Sequence, residues 1–291
     1  MKNLKEYILT ENNFFKNLGI GNVTLIKKWL EKNKIKDYEY TINNDYTIDV
    51  MGSVKIFGYE EDELPDYIQF RIVSEEFLVE QSKIKSFRGF PTRCDALYFF
   101  NCNEMENLKG LETDYKKITI NGCKKLSSLK GLSDTVSSIS LYGCSKITSE
   151  ELKNIPTKNL DKFTCSGCNK VTTLSYMNID KDKVFDYFSC SNSTKLKDLV
   201  GSPTHCNEFC CSYCNGLTDL TGAPQECEEF NCSCCKNLTS LKGVSKCKIL
   251  YCSNCKNLSS LDGLQRGIKE IYRMGSPGIA KIDLFDYFKN I

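Results

Sequence analysis

A frame of roughly 21 residues returns again and again along this chain, and it narrows the possible folds more than any other feature. Cys206-Asn-Glu-Phe-Cys-Cys-Ser-Tyr-Cys-Asn-Gly-Leu-Thr-Asp-Leu-Thr-Gly aligns with Cys227-Glu-Glu-Phe-Asn-Cys-Ser-Cys-Cys-Lys-Asn-Leu-Thr-Ser-Leu-Lys-Gly, and the frame starts again at Cys247. Units begin at Cys94, Tyr115, Val136, Leu160, Phe185, Cys206, Cys227, Cys247 and, in degenerate form, Ile268, most of them 20 or 21 residues apart. A fixed period of this length implies one supersecondary unit stacked on its neighbours. The 291 residues therefore need not divide into separate cores, because each rung packs only on the next.

Numbering from the first residue of each unit, offset 3 is apolar throughout, from Leu97, Ile118 and Ile139 to Phe163, Phe188, Phe209, Phe230 and Leu250. Offset 5 runs Phe99, Ile120, Leu141, then Cys165, Cys190, Cys211, Cys232 and Cys252. Apolar side chains two apart predict one short strand per rung with a single buried face. Offset 8 is Cys in seven of eight units, with Ser193 the exception, and offset 11 is Met105, Leu126, Ile147, Val171, Leu196, Leu217, Leu238 and Leu258.

This pattern resembles the leucine-rich-repeat consensus L-x-x-L-x-L-x-x-(N/C) over about residues 94–275. The resemblance implies a β-rich solenoid, a right-handed coil of about nine rungs, whose last column turns the chain and hydrogen-bonds the backbone. Too few residues follow offset 11 to place an α-helix on every convex side, and Leu-x-Gly turns stand there at Gly110, Gly131, Gly201, Gly222, Gly243 and Gly263. Extended or 3₁₀ convex segments fit that spacing better. The insert Ser149-Glu-Glu-Leu-Lys-Asn-Ile is the exception, with an N-cap and an acidic first turn to start a helix. We expect a small helical and β-hairpin N-terminal cap (1–60), with a helix over 22–35 and strands over 40–56 joined at Asn43-Asn44-Asp45, then the solenoid (61–275) and a short C-terminal cap (276–291).

Sixteen of the 18 cysteines fall at offsets 0, 5 and 8, and only Cys210 and Cys234 stand elsewhere. A small thiol suits a tight inward column, because free Cys buries like a hydrophobe. Cys165-x-x-Cys168, Cys211-x-x-Cys214, Cys232-x-x-Cys235 and Cys252-x-x-Cys255 also carry the spacing of zinc and redox motifs, which offsets 5 and 8 account for equally well. Equivalent thiols on adjacent rungs would stand about 4.8 Å apart, within disulfide reach. Buried free thiols are the expected state, with zinc, disulfides and thiol redox chemistry as alternatives.

Lys plus Arg number 39 against 37 Asp plus Glu, a net charge of +2 that provides no field for nucleic acid or anionic lipid. No stretch reaches the length of about 18 apolar residues needed to span a bilayer, and Met1 to Phe15 lacks the apolar core of a secretory signal. His205 is the only histidine, and there is no Walker A loop or H-E-x-x-H. We therefore expect no catalytic residues, metal or cofactor, and no nucleic-acid or membrane partner.

The outward sheet face is where function is expected. Offsets 2, 4 and 6 place Tyr98, Phe100 and Tyr142 towards its N-terminal end, and Tyr187, Ile249, Tyr251, Tyr272 and Met274 towards its C-terminal end, with Glu208, Glu229 and Glu270 adding acidity. Aromatic side chains on a rigid platform are typical anchors for a protein partner. Ile249, Tyr251, Tyr272 and Met274 are expected to form one apolar patch.

Met1-Lys-Asn-Leu-Lys-Glu-Tyr-Ile-Leu-Thr-Glu resembles the capsid-targeting leaders of internal proteins of large tailed phages, in which a Leu-x-Glu site, here Leu9-Thr-Glu11, is cut. That resemblance implies a phage-encoded protein in the host cytoplasm or the virion, not a secreted one. It also opens an alternative in which the solenoid is a structural or packaged virion component docked through its N-terminal segment.

Overall fold

The structure, a computed structural model, describes residues 20–35 and 39–289. The Leu9-Thr-Glu11 motif lies outside the described residues. The chain opens with α1 (Ile20–Lys32), whose Ile26, Trp29 and Leu30 are buried together with Ile35 just beyond it. The hairpin follows: β1 (Glu39–Ile42) and β2 (Ile48–Met51) pair antiparallel, and Asn43 and Thr47 close the turn with a backbone bond of 2.8 Å. β2 also pairs in parallel with β4 (Phe70–Val73), which completes a three-stranded sheet. Trp29 packs edge-on against Phe70, with centroids 6.2 Å apart, and so seats α1 over the end of the core.

The main sheet has eleven strands, all paired in parallel. They are β3 (Val54–Phe57), β5 (Glu76–Glu80), β6 (Ala96–Phe100), β7 (Lys117–Asn121), β8 (Ser138–Tyr142), β9 (Lys162–Ser166), β10 (Val184–Ser189), β11 (His205–Cys210), β12 (Glu226–Asn231), β13 (Ile249–Tyr251) and β14 (Glu270–Tyr272). The molecule is a parallel β-solenoid, as the period required. Its register is the repeat itself: offset 3 meets offset 3 from Leu97↔Ile118 through Phe209↔Phe230 to Leu250↔Ile271.

The described residues form eleven rungs, not nine. β3 and β5 form two rungs ahead of Cys94, and β3 joins the main sheet before residue 61. These rungs keep offsets 3 and 5 as buried Val54 and Ile56, then Phe77 and Val79. On the turn side their apolar residues shift to Leu64, Ile84, Phe87 and Phe90, so they escape the frame that defines the others. The insert after β8 also differs from expectation. It is a 3₁₀ helix (Ser149–Asn154) whose cap position is Thr148, which makes no side-chain cap bond; Ser149 is its first residue, and its hydroxyl accepts from Thr172 N at 2.9 Å and Thr173 N at 3.2 Å on the next rung.

Offset 7 holds a left-handed residue in every rung: Gly58, Gln81, Asn101, Gly122, Gly143, Gly167, Asn192, Tyr213, Cys234, Asn254 and Gly275, with φ from +51 to +76. From the third rung onward this turn swings offset 8 inward, where its side chain donates to the carbonyl at offset 5 of the preceding rung. Cys214, Cys235 and Cys255 Sγ donate to Cys190, Cys211 and Cys232 O at 3.1, 3.1 and 3.2 Å. Ser193 and Ser276 hydroxyls do the same to Cys165 and Cys252 O at 3.2 and 2.7 Å. Because serine already plays this part twice, at Ser193 and Ser276, Cys235→Ser should cost little, whereas Cys235→Ala, which leaves the Cys211 carbonyl without that donor, should cost about 1–3 kcal/mol in urea unfolding.

Sixteen cysteines are buried, and the two off-column ones, Cys210 and Cys234, are partly accessible. Burial pushes the thiols of Cys94, Cys206 and Cys252 up to about 12. Brief alkylation of the native chain near pH 8 is expected to label two thiols, and all 18 after denaturation. A raised folded-state pKa favours the native chain while thiols stay protonated. That contribution is complete below the unfolded thiol value of about 8.5. It is lost as pH rises towards 12, so the melting temperature should fall across that window.

The C-terminal rung is capped differently from the rest. Arg273 occupies offset 5, where the five rungs just before it place Cys, and its Nη1 donates to Ile279 and Ile282 O at 2.8 and 2.9 Å. α2 (Leu284–Lys289) follows, with Tyr287 and Phe288 partly buried against the core and Phe285 exposed, so Phe285 takes no part in the expected cap.

Candidate functional site

On the outward face, main-sheet pairing places equal offsets of adjacent rungs side by side. The expected aromatic groups separate into three clusters. Tyr98 and Phe100, both half-buried, touch with centroids 5.7 Å apart, and the Tyr98 hydroxyl donates to Glu76 at 3.1 Å while Lys117 lies over its ring. Tyr142 is not part of that group, since Asn121 of β7 stands between Phe100 and Tyr142 at offset 6. Tyr187 lies half-buried on β10 next to Glu208, and burial raises its phenol above the ordinary value.

The third cluster covers β11 to β14. Tyr251 and Tyr272 are direct register partners, and their rings stack at 4.9 Å and 11°. Met274 beside them is 84% exposed, and Tyr272 is 47% exposed. Ile249 does not extend a purely apolar patch, because its register partners are Glu229 and Glu270. Both tyrosines have raised pKa values. For Tyr251 the causes are desolvation and the Glu229 and Glu270 carboxylates, and for Tyr272 the hydrogen bond to Glu270 at 2.6 Å leads.

The carboxylates here differ from those at the strand entrances. Glu226 pairs with Lys246 at 2.8 Å and Glu228 pairs with Lys248, so those charges are balanced between rungs. On the outward face Glu208 and Glu229 are direct neighbours, an arrangement that repels. From β11 to β14 offsets 2, 4 and 6 carry no Lys or Arg.

The middle of the face is small and polar. Thr119, Thr164, Ser189 and Ser191 stand at outward offsets yet are buried by their neighbours. Cys210 sits among these hydroxyls and accepts from Ser191 Oγ at 3.1 Å. Tyr213 and Cys234 hold left-handed positions on adjacent rungs, and contact with Cys234 raises the Tyr213 phenol. The Asn and Gly at offset 7 of other rungs mark this turn in the sequence.

Among the described residues no group of three or more His, Cys, Asp or Glu side chains is arranged to hold a metal ion. His205 opens β11, half-buried, paired in register with Val184 and Glu226. Comparison with known proteins found no matching family model, no matching curated protein and no matching solved structure.

Proposed function

We propose that this chain is a non-enzymatic binding module that engages a protein partner through the outward face of its main sheet, at the β11–β14 end. The observation that carries the reading is the stacked Tyr251–Tyr272 pair beside exposed Met274, on a sheet whose register fixes both rings. Tyrosine supplies a large contact area with little side-chain entropy to lose, and aromatic anchors dominate measured interface energies. The thiol and hydroxyl column that closes each turn supports a leucine-rich-repeat-like architecture.

Selection of a displayed random-peptide library on the wild-type chain tests the reading. Enriched peptides should lose binding to a Tyr251→Ala, Tyr272→Ala double variant while circular dichroism and the melting temperature remain close to wild type, since neither ring is in the core. Peptides that bind wild type and the double variant alike would sink it.

A further inference from the structure

Among the described residues the final rung's forward pairing groups meet no partner strand. Each rung before it passes backbone N–H groups forward, among them those at offsets 5 and 7. Cys232 and Cys234 N donate to Tyr251 and Ser253 O, each at 2.8 Å, and Cys252 and Asn254 N donate to Tyr272 and Met274 O, each at 2.8 Å. The equivalent groups of the final rung are the N–H of Arg273 and Gly275. β14 is the edge of the sheet, and neither N–H donates to a carbonyl among the described residues. The hydrogen bonds that hold α2 run to the turn side of the chain, from Tyr287 to Leu261 O and from Arg266 to Phe288 O, not to β14.

Proteins usually protect such an edge, because a row of free N–H groups is a template for another strand. Here the side chains next to it are Glu270, Tyr272 and Met274. Glu208, Glu229 and Glu270 line the same face with no cation from β11 to β14, so the charge this surface lacks is positive. Among the described residues no further rung covers the outer face of the Tyr272 ring, away from Tyr251.

We infer that the open edge of β14 takes an extended peptide carrying lysine or arginine, which adds as a further strand. Its carbonyls accept from Arg273 and Gly275 N–H, and its cation lies against the Glu270 carboxylate and the open Tyr272 ring. Main-chain bonds supply affinity in such strand addition, and side-chain pockets supply selectivity. A cation held against both a carboxylate and a ring face satisfies each. The inference rests on the sheet-face binding reading and names the chemistry of its partner.

Fluorescence anisotropy on the full chain with three labelled probes tests it. The first is Thr-Lys-Val-Lys-Val-Lys-Thr, the second has Glu in place of each Lys, and the third is the Lys peptide N-methylated at alternate amides, which cannot pair with a strand edge. The Lys peptide should bind saturably, and both other probes should bind at least about tenfold more weakly. Glu270→Lys, an exposed substitution, should reverse the preference between the Lys and Glu probes. Absence of Lys-peptide binding, or equal affinity for the Lys and Glu probes, overturns the inference. Equal affinity for the methylated and unmethylated Lys peptides, with Tyr272→Ala still abolishing both, also overturns it and leaves face binding standing.

Discussion

Phe209→Ala is expected to lower stability by about 3–5 kcal/mol, among the largest single-residue losses in the molecule. Phe163, Phe188, Phe209 and Phe230 form one buried file along four rungs, with centroids 5.1, 5.7 and 5.2 Å apart. Removing the Phe209 ring deletes two aromatic contacts and opens a cavity between strands whose spacing the hydrogen-bonded register holds fixed, so the site has little room to collapse. Phe209→Leu should cost only about 1–2 kcal/mol, because most of the volume is kept. Urea unfolding measures both values, and a loss below about 1 kcal/mol for the alanine variant would show that the file is not close-packed. Since each rung contacts only its neighbours, hydrogen exchange should report opening of β10 to β12 before the ends.

Gly243→Ala should be nearly as damaging, for a backbone reason. Gly243 holds φ +88, and an added Cβ would stand 2.5 Å from Leu220 O, 2.7 Å from Leu220 C and 2.9 Å from Thr221 N. Those atoms are the main chain of the rung before, so relief requires two rungs to separate. A loss of about 2–4 kcal/mol combines the left-handed strain with that displacement. Gly110 is the control: its φ is +84, but a Cβ there meets nothing within 4 Å, so Gly110→Ala should show the conformational cost alone, about 1–2 kcal/mol. Equal losses at the two sites would mean that rung-to-rung contact plays no part.

The coil was legible because its inward columns repeat in residue type. Leucine, phenylalanine and cysteine at offsets 3, 5, 8 and 11 place the strands from β6 onward and their register. The first two rungs were not legible, because a strand needs only Val54 and Ile56 or Phe77 and Val79, while their turn sides pack through Leu64 or Ile84, Phe87 and Phe90 at shifted positions. Ser149 differs in a related way: its sequence context is that of a helix cap, yet the cap position falls on Thr148, and the Ser149 hydroxyl accepts from two N–H groups of the next rung. On the outward face, alternation correctly located Tyr251 and Tyr272. It carries no information on how near offset 2 of one rung comes to offset 4 of another, so the closeness of Glu229 and Glu270 to Tyr251 emerged only in three dimensions, whereas the separation of Tyr142 from Phe100 by Asn121 follows from the frame itself.

The in-register pairing of successive rungs also bears on how quickly such a chain finds its structure. Paired residues in the main sheet lie between 20 (Glu229↔Ile249) and 25 (Phe163↔Phe188) positions apart, less than a tenth of the 291-residue chain. Parallel sheets are usually slow to form because partner strands are distant in sequence, and closing long loops must precede any reward. Here that distance is set by one turn of the coil and does not grow with the number of turns. Once any two rungs have met, each further strand has only a loop of about twenty residues to close, so lengthening this molecule by another rung would add stability without slowing the search.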